Sequence, residues 1–165
     1  MGNKILLLYA TRCGSTEEIA KVIGQEIGKT GASIDVMPIK KHINLTDYKA
    51  CIIGSAIRAG KCMPEALDFV QTHSAELKEK KIAYFIVCMT MKDDNENNKK
   101  QVLSYLENIT SQITPLSIGL FAGCLDYKKL SFPIRLLFKA MKSPEGDFRN
   151  WETIRGWARD LINKL

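Results

Sequence analysis

Four continuous apolar runs, separated by stretches of helical periodicity, constrain this chain more than any other feature. The runs span residues 4–9, 50–54, 82–88 and 116–122. Their apolar residues run on rather than alternate, as in strands covered on both faces. A fifth segment, residues 33–37, alternates and is placed at a sheet edge. From Thr16, residues Ile19, Ala20, Ile23 and Ile27 recur at helical spacing, with Gly31 positioned to end the helix. Similar spacing marks residues 64–77 (Ala66, Leu67, Val70, Leu77), 99–109 (Val102, Leu103, Leu106) and 151–165 (Ile154, Trp157, Ala158, Leu161, Ile162). The alternation predicts an α/β fold, a doubly wound parallel sheet of five strands with five helices on its faces. In such sheets ligands bind beyond the carboxyl ends of the strands.

A length of 165 residues points to one domain over 1–165 with a core of its own. No apolar run is long enough to span a bilayer. Met1-Gly2-Asn3-Lys4 leads into Ile5-Leu6-Leu7-Leu8 with no small-residue cleavage site following, which fits a buried first strand and a cytoplasmic protein. The five cysteines, Cys13, Cys51, Cys62, Cys88 and Cys124, form no Cys-x-x-Cys pair, and only His42 and His73 are available beside them. Free thiols are therefore expected, with no metal centre. The formal net charge of +6 suits an anionic partner.

The first strand leads into Thr11-Arg12-Cys13-Gly14-Ser15-Thr16. Three hydroxyls, one glycine and a helix start make a phosphate cradle. The first helical amides lack partners, the helix dipole favours an anion, and hydroxyls add donors. Ser15 and Thr16 also suit simple helix capping, which is compatible with phosphate binding. Glu17 and Glu18, just inside the helix, oppose the anion. The loop lacks the Gly-x-x-x-x-Gly-Lys pattern of triphosphate sites and the Gly-x-Gly-x-x-Gly pattern of dinucleotide sites.

This loop resembles the one with which flavodoxins hold the phosphate of FMN. The resemblance implies a flavodoxin-like three-layer sandwich with strand order 2-1-3-4-5. It also implies two further loops around the flavin: Ser55, Ala56, Ile57, Arg58 and Gly60 after the third strand, and Cys88, Met89, Thr90 and Met91 after the fourth. Gly123 follows the fifth. Neither flavin loop contains Trp, Tyr or Phe, so one flavin face is expected to stay open to a reactant. Met89 and Met91 offer polarizable contacts.

Residues 126–142 form a basic insert. On a helical wheel Lys128, Arg135, Lys139 and Lys142 share one arc, while Leu130, Ile134, Leu137, Phe138 and Met141 fill another. Such a segment fits an anionic membrane surface, a large acidic ligand, or an ordinary helix on the sheet with a solvated edge. Nucleic acid is not expected, because no recognition motif accompanies the charge.

Nearly the whole chain resembles the menaquinone-dependent protoporphyrinogen IX dehydrogenases. The resemblance rests on Thr11-Arg12 with Gly14 and Thr16, Ile57-Arg58 with Gly60, Ala122-Gly123 with Leu125 and Tyr127, Trp151-Glu152, and Ala158-Arg159-Asp160-Leu161. It implies an FMN-dependent oxidoreductase of haem synthesis whose partners are a porphyrinogen and a quinone. Arg58 and the insert lysines are then candidate clamps for propionates, and no acid or base is singled out. The alternative is a soluble electron carrier that serves a redox partner protein. Carriers of that kind are usually acidic, whereas this chain is basic.

Overall fold

Residues 4–165 are described by a computed structural model. Met1, Gly2 and Asn3, part of the lead and of the 1–165 span considered above, lie outside the described residues. Five parallel strands form the main sheet: β1 (Lys4–Ala10), β2 (Ile34–Pro38), β3 (Tyr48–Arg58), β4 (Lys81–Val87) and β5 (Ser117–Phe121). They lie side by side in the order β2-β1-β3-β4-β5, as the resemblance implies. The alternating strand β2 sits at one edge, half-buried.

Side chains of successive strand residues point to opposite faces, and this builds two cores. Leu6, Leu8, Cys51, Ile53, Ile82, Tyr84 and Ile86 pack on one side with Phe69, Val70, Val102 and Ile109. These last four come from α2 (Pro64–Thr72), α4 (Glu96–Ser104) and α5 (Glu107–Thr110). Ile5, Leu7, Ile52, Ala83, Phe85 and Val87 face Ile19, Ile23, Ile154, Ala158 and Leu161 on the other side. These belong to α1 (Ser15–Gly28) and α7 (Trp151–Ile162). Burial raises the Cys51 thiol to about 12, so this cysteine behaves as a small apolar core residue.

Several elements differ from the sequence expectation. Strand β3 does not stop at Gly54 but runs to Arg58, then turns back so that Ile57 pairs with Cys62 and Arg58 with Lys61. Ala59 and Gly60 carry φ of 47° and 70°, the two-residue turn that best matches strand twist. Helix α1 ends at Gly28, and Gly31 lies in the turn beyond. The expected helix over 64–77 is broken at His73 (φ −102°, ψ 17°), leaving α2 and a short α3 (Ser74–Lys78). Thr72, His73 and Ser74 are weak helix formers. The expected helix over 99–109 divides likewise, giving α4 and α5.

Past β5, Cys124–Leu125 pairs antiparallel with Gly146–Asp147, closing the base of the basic insert. Within it, a 3-10 turn (Tyr127–Lys129) precedes α6 (Phe132–Ala140). Lys128 and Lys142 fall outside that helix, so the four-cation arc of the helical wheel does not form as one stripe. Ser131 occupies the N-cap position of α6 without a side-chain capping bond. Leu130 is buried, whereas Phe132, Leu136, Leu137 and Met141 are exposed. No helix among the described residues is long and apolar enough to cross a membrane.

Candidate functional site

A cleft of about 370 Å³ opens where the carboxyl ends of β1, β3 and β4 meet the loop after β5. The first loop contributes Thr11, Arg12, Cys13 and Ser15; β3 contributes Ala56, Ile57 and Arg58; Val87, Cys88 and Met89 follow from β4; Gly123 comes from the β5 end. Ten of the sixteen residues singled out in the sequence therefore meet at one opening.

The loop after β1 crosses to the start of α1. Gly14 takes φ 90°, a left-handed conformation that costs a residue with a Cβ, and its N–H donates to Thr11 Oγ1 at 3.1 Å. No side chain caps the α1 N-terminus. Thr16 is fully buried there, and its hydroxyl has no hydrogen-bond partner. A buried hydroxyl left unpaired costs about 1–3 kcal/mol, and an anion at the helix start would accept from it. This orphaned group, beside an uncapped helix start, fits a phosphate.

The two acids that oppose an anion are both engaged. Glu17 is held by Lys21 at 2.6 Å, and that hydrogen bond lowers its pKa. Glu18 is held by Arg149 at 2.6 Å, and Lys129 stands 3.7 Å away. Arg149, whose side chain is only 8% exposed, also pairs with Asp147 at 2.7 Å and lies over the Trp151 ring. Arg12, the basic residue of the loop, is bound to Glu65 at 2.6 Å. Arg58 is exposed and has no ion pair among the described residues.

The six remaining candidates sit around the cleft rather than on its wall. Gly14 turns the loop, and Thr16 is buried at the start of α1. Ser55 is buried; its hydroxyl accepts from the Met63 N–H at 2.9 Å and donates to the Ala56 carbonyl, tying the β3 hairpin to α2. Gly60 lies in the hairpin turn against the Tyr105 ring. Thr90 accepts through its carbonyl from the Asn98 amide, and Met91 is buried in the core.

The insert and the ribbon at its base supply further wall residues, of which the sequence had placed only the insert lysines at a ligand, as clamps for carboxylates. Cys124, Leu125, Lys129, Leu130, Ser131, Ile134 and Phe138 all line the cleft. An aromatic ring is thus present, from α6 rather than from the two flavin loops. Ile134 and Phe138 are one helical turn apart and so share a face, a signal the apolar arc contained. A second cleft, of about 450 Å³, lies between Ile39-Lys40-Lys41 and α2. Its wall carries the carboxylates of Glu65 and Asp68 and no unpartnered buried donor among the described residues, so the chemistry favours the first cleft for an anion.

Comparison with known proteins bears on the family and the fold. The flavodoxin domain family matches residues 6–151. A protein of Leishmania major named "Protoporphyrinogen IX dehydrogenase [quinone]" is 29% identical, over 96% of this chain and 74% of that protein. A protein of the same name from Escherichia coli K12 is 28% identical, over 97% of this chain and 95% of that protein. Among solved structures, oxidised flavodoxin 1 of Bacillus cereus superposes with a TM-score of 0.63 at 18% identity, covering 98% of this chain and 99% of that one. An archaeal flavodoxin gives a TM-score of 0.62 at 16% identity, covering 98% and 97%.

Proposed function

The chain belongs to the flavodoxin domain family, and we propose that it is an FMN-dependent oxidoreductase that takes hydrogens from protoporphyrinogen IX and passes electrons to a quinone of the menaquinone type. FMN is the cofactor that family membership implies. The specific substrate is supported by the relatives' names and, above all, by one observation: the insert brings Leu130, Ile134 and Phe138 onto the cleft wall. An electron carrier needs an exposed flavin edge and no such wall.

When bound, FMN would supply the redox chemistry, the macrocycle losing hydrogens and the quinone gaining them. The chain's own residues bind, orient and exclude water. Thr11, Arg12, Cys13, Gly14, Ser15 and Thr16 hold the phosphate end. Ser55, Ala56, Ile57, Arg58 and Gly60, with Cys88, Met89, Thr90, Met91 and Gly123, form and support the ring end. Leu130, Ile134 and Phe138 keep the reacting face dry. Arg58, with no ion pair to give up, is placed to hold a substrate carboxylate. The whole of 1–165 acts as one domain, cytoplasmic and peripheral to an anionic membrane. Phe132, Leu136, Leu137 and Met141 face the lipid, and Lys128, Lys139 and Lys142 face its headgroups.

An anaerobic assay of porphyrin fluorescence, with quinone either soluble or embedded in anionic vesicles, tests this. The FMN-loaded protein is expected to turn over faster than free FMN with both. Exchanging Lys128, Lys139 and Lys142 for Glu should slow the vesicle reaction alone, since each such cation near the surface is worth on the order of 1 kcal/mol. Turnover no faster than free FMN, with competent delivery of electrons to a redox partner protein, would establish the carrier instead. A vesicle reaction indifferent to the exchange would remove the membrane from the account.

A further inference from the structure

We propose that Lys129 of the insert supplies the counter-charge for the FMN phosphate, exchanging its loose contact with Glu18 for the ligand. The proposal rests on the flavin reading above and extends it to a residue outside the phosphate loop.

Among the described residues, three cations stand near the start of α1, and their commitments differ. Arg12 is bound to Glu65 at 2.6 Å. Arg149 makes two hydrogen bonds to Asp147, at 2.8 and 2.7 Å, and a third to Glu18 at 2.6 Å. Lys129 has only its 3.7 Å approach to Glu18, beyond hydrogen-bond distance, and its side chain is half exposed. All of its ammonium donors are therefore unspent. Because Glu18 keeps its 2.6 Å hydrogen bond to Arg149, moving Lys129 away leaves that carboxylate with a partner.

Position points the same way. Lys129 lines the main cleft with Thr11, Cys13 and Ser15, and also a small recess formed by Cys13, Ser15, Glu18, Cys124 and Asp126. It is the insert's only cation on the cleft wall. The fold holds it there from both sides. Asp126 caps the 3-10 turn by accepting from the Lys128 N–H at 2.9 Å. The Tyr127 hydroxyl bonds the Ser143 carbonyl, and Leu130 is buried just after. A surface ion pair contributes little, whereas an ammonium on a phosphate in a partly closed recess contributes more. Exchange is therefore favourable, and it makes the insert part of cofactor retention.

Riboflavin, which is FMN without the phosphate, isolates this contact. Dissociation constants for FMN and riboflavin would be measured by flavin fluorescence on the wild type, Lys129→Ala and Lys129→Arg. Lys129→Ala is expected to weaken FMN on the order of fivefold and leave riboflavin unchanged. Lys129→Arg should restore most of the loss. The FMN loss should shrink as salt rises. Glu18→Gln should tighten FMN in the wild type and do so less in Lys129→Ala. Equal effects on both flavins, or on neither, overturn the assignment while leaving the flavin reading intact. A wild type that binds no FMN overturns both.

Discussion

Replacing Ser15 by Glu is expected to raise the FMN dissociation constant by more than a hundredfold while leaving the fold intact. Ser15 lines the cleft at the first residue of α1. A carboxylate there faces the phosphate and competes with it for Lys129. At ~5 Å and an effective dielectric of ~20, each unit of phosphate charge is repelled by about 3 kcal/mol, which exceeds a hundredfold in affinity. An acid in the first turn of a helix is otherwise mildly stabilising, so the melting temperature should hold or rise. Ser15→Ala removes one hydroxyl and should cost about fivefold or less. Fluorescence titration against free FMN reads both. Retained affinity in Ser15→Glu would mean that the phosphate lies elsewhere.

The largest expected loss of stability comes from Gly54→Ala. Gly54 is buried in β3, paired with Phe85 of β4. A Cβ added there would stand 2.0 to 2.6 Å from three carbons of the Phe85 ring. The ring is fully buried beneath α1 and α7, so withdrawing it means displacing packed neighbours. Overpacking of this kind costs about 1–3 kcal/mol and sometimes more, and the distance of closest approach places this site at the upper end. For a chain of this size, about 3 kcal/mol lowers the melting temperature by roughly 10 °C. Combining Gly54→Ala with Phe85→Leu should recover part of the loss, because the two side chains compete for one volume. A melting temperature within about 2 °C of wild type would contradict the packing described here.

How much of this was legible beforehand follows from the range of each interaction. The strands showed in the sequence because a strand buried on both faces must be apolar throughout, as in Ile5-Leu6-Leu7-Leu8. The loop after β1 stood out because Thr11, Gly14, Ser15 and Thr16, the residue types proposed to hold a phosphate, lie within a few residues of one another. The extension of β3 to Arg58 was hidden. Ala59 adopts a positive φ that its side chain does not advertise, and Ser55 reads as a loop hydroxyl although it is spent on the Met63 amide. The ion pair between Glu18 and Arg149 joins residues 131 positions apart, which no local pattern encodes. The aromatic wall was missed for a related reason. Phe138 reaches the cleft only because the Cys124–Leu125 and Gly146–Asp147 ribbon returns the insert to the sheet.

The structure of the protein crystallised with FMN tests the central claim most directly, because two clefts of similar size compete for the ligand. One FMN is expected, with its phosphate among Thr11 to Thr16, the Thr16 hydroxyl bonded to a phosphate oxygen, and the flavin ring beside Ile57, Met89 and Phe138. Density for the flavin between Lys40, Lys41 and Phe69, or a Thr16 hydroxyl still without a partner in the complex, would contradict it.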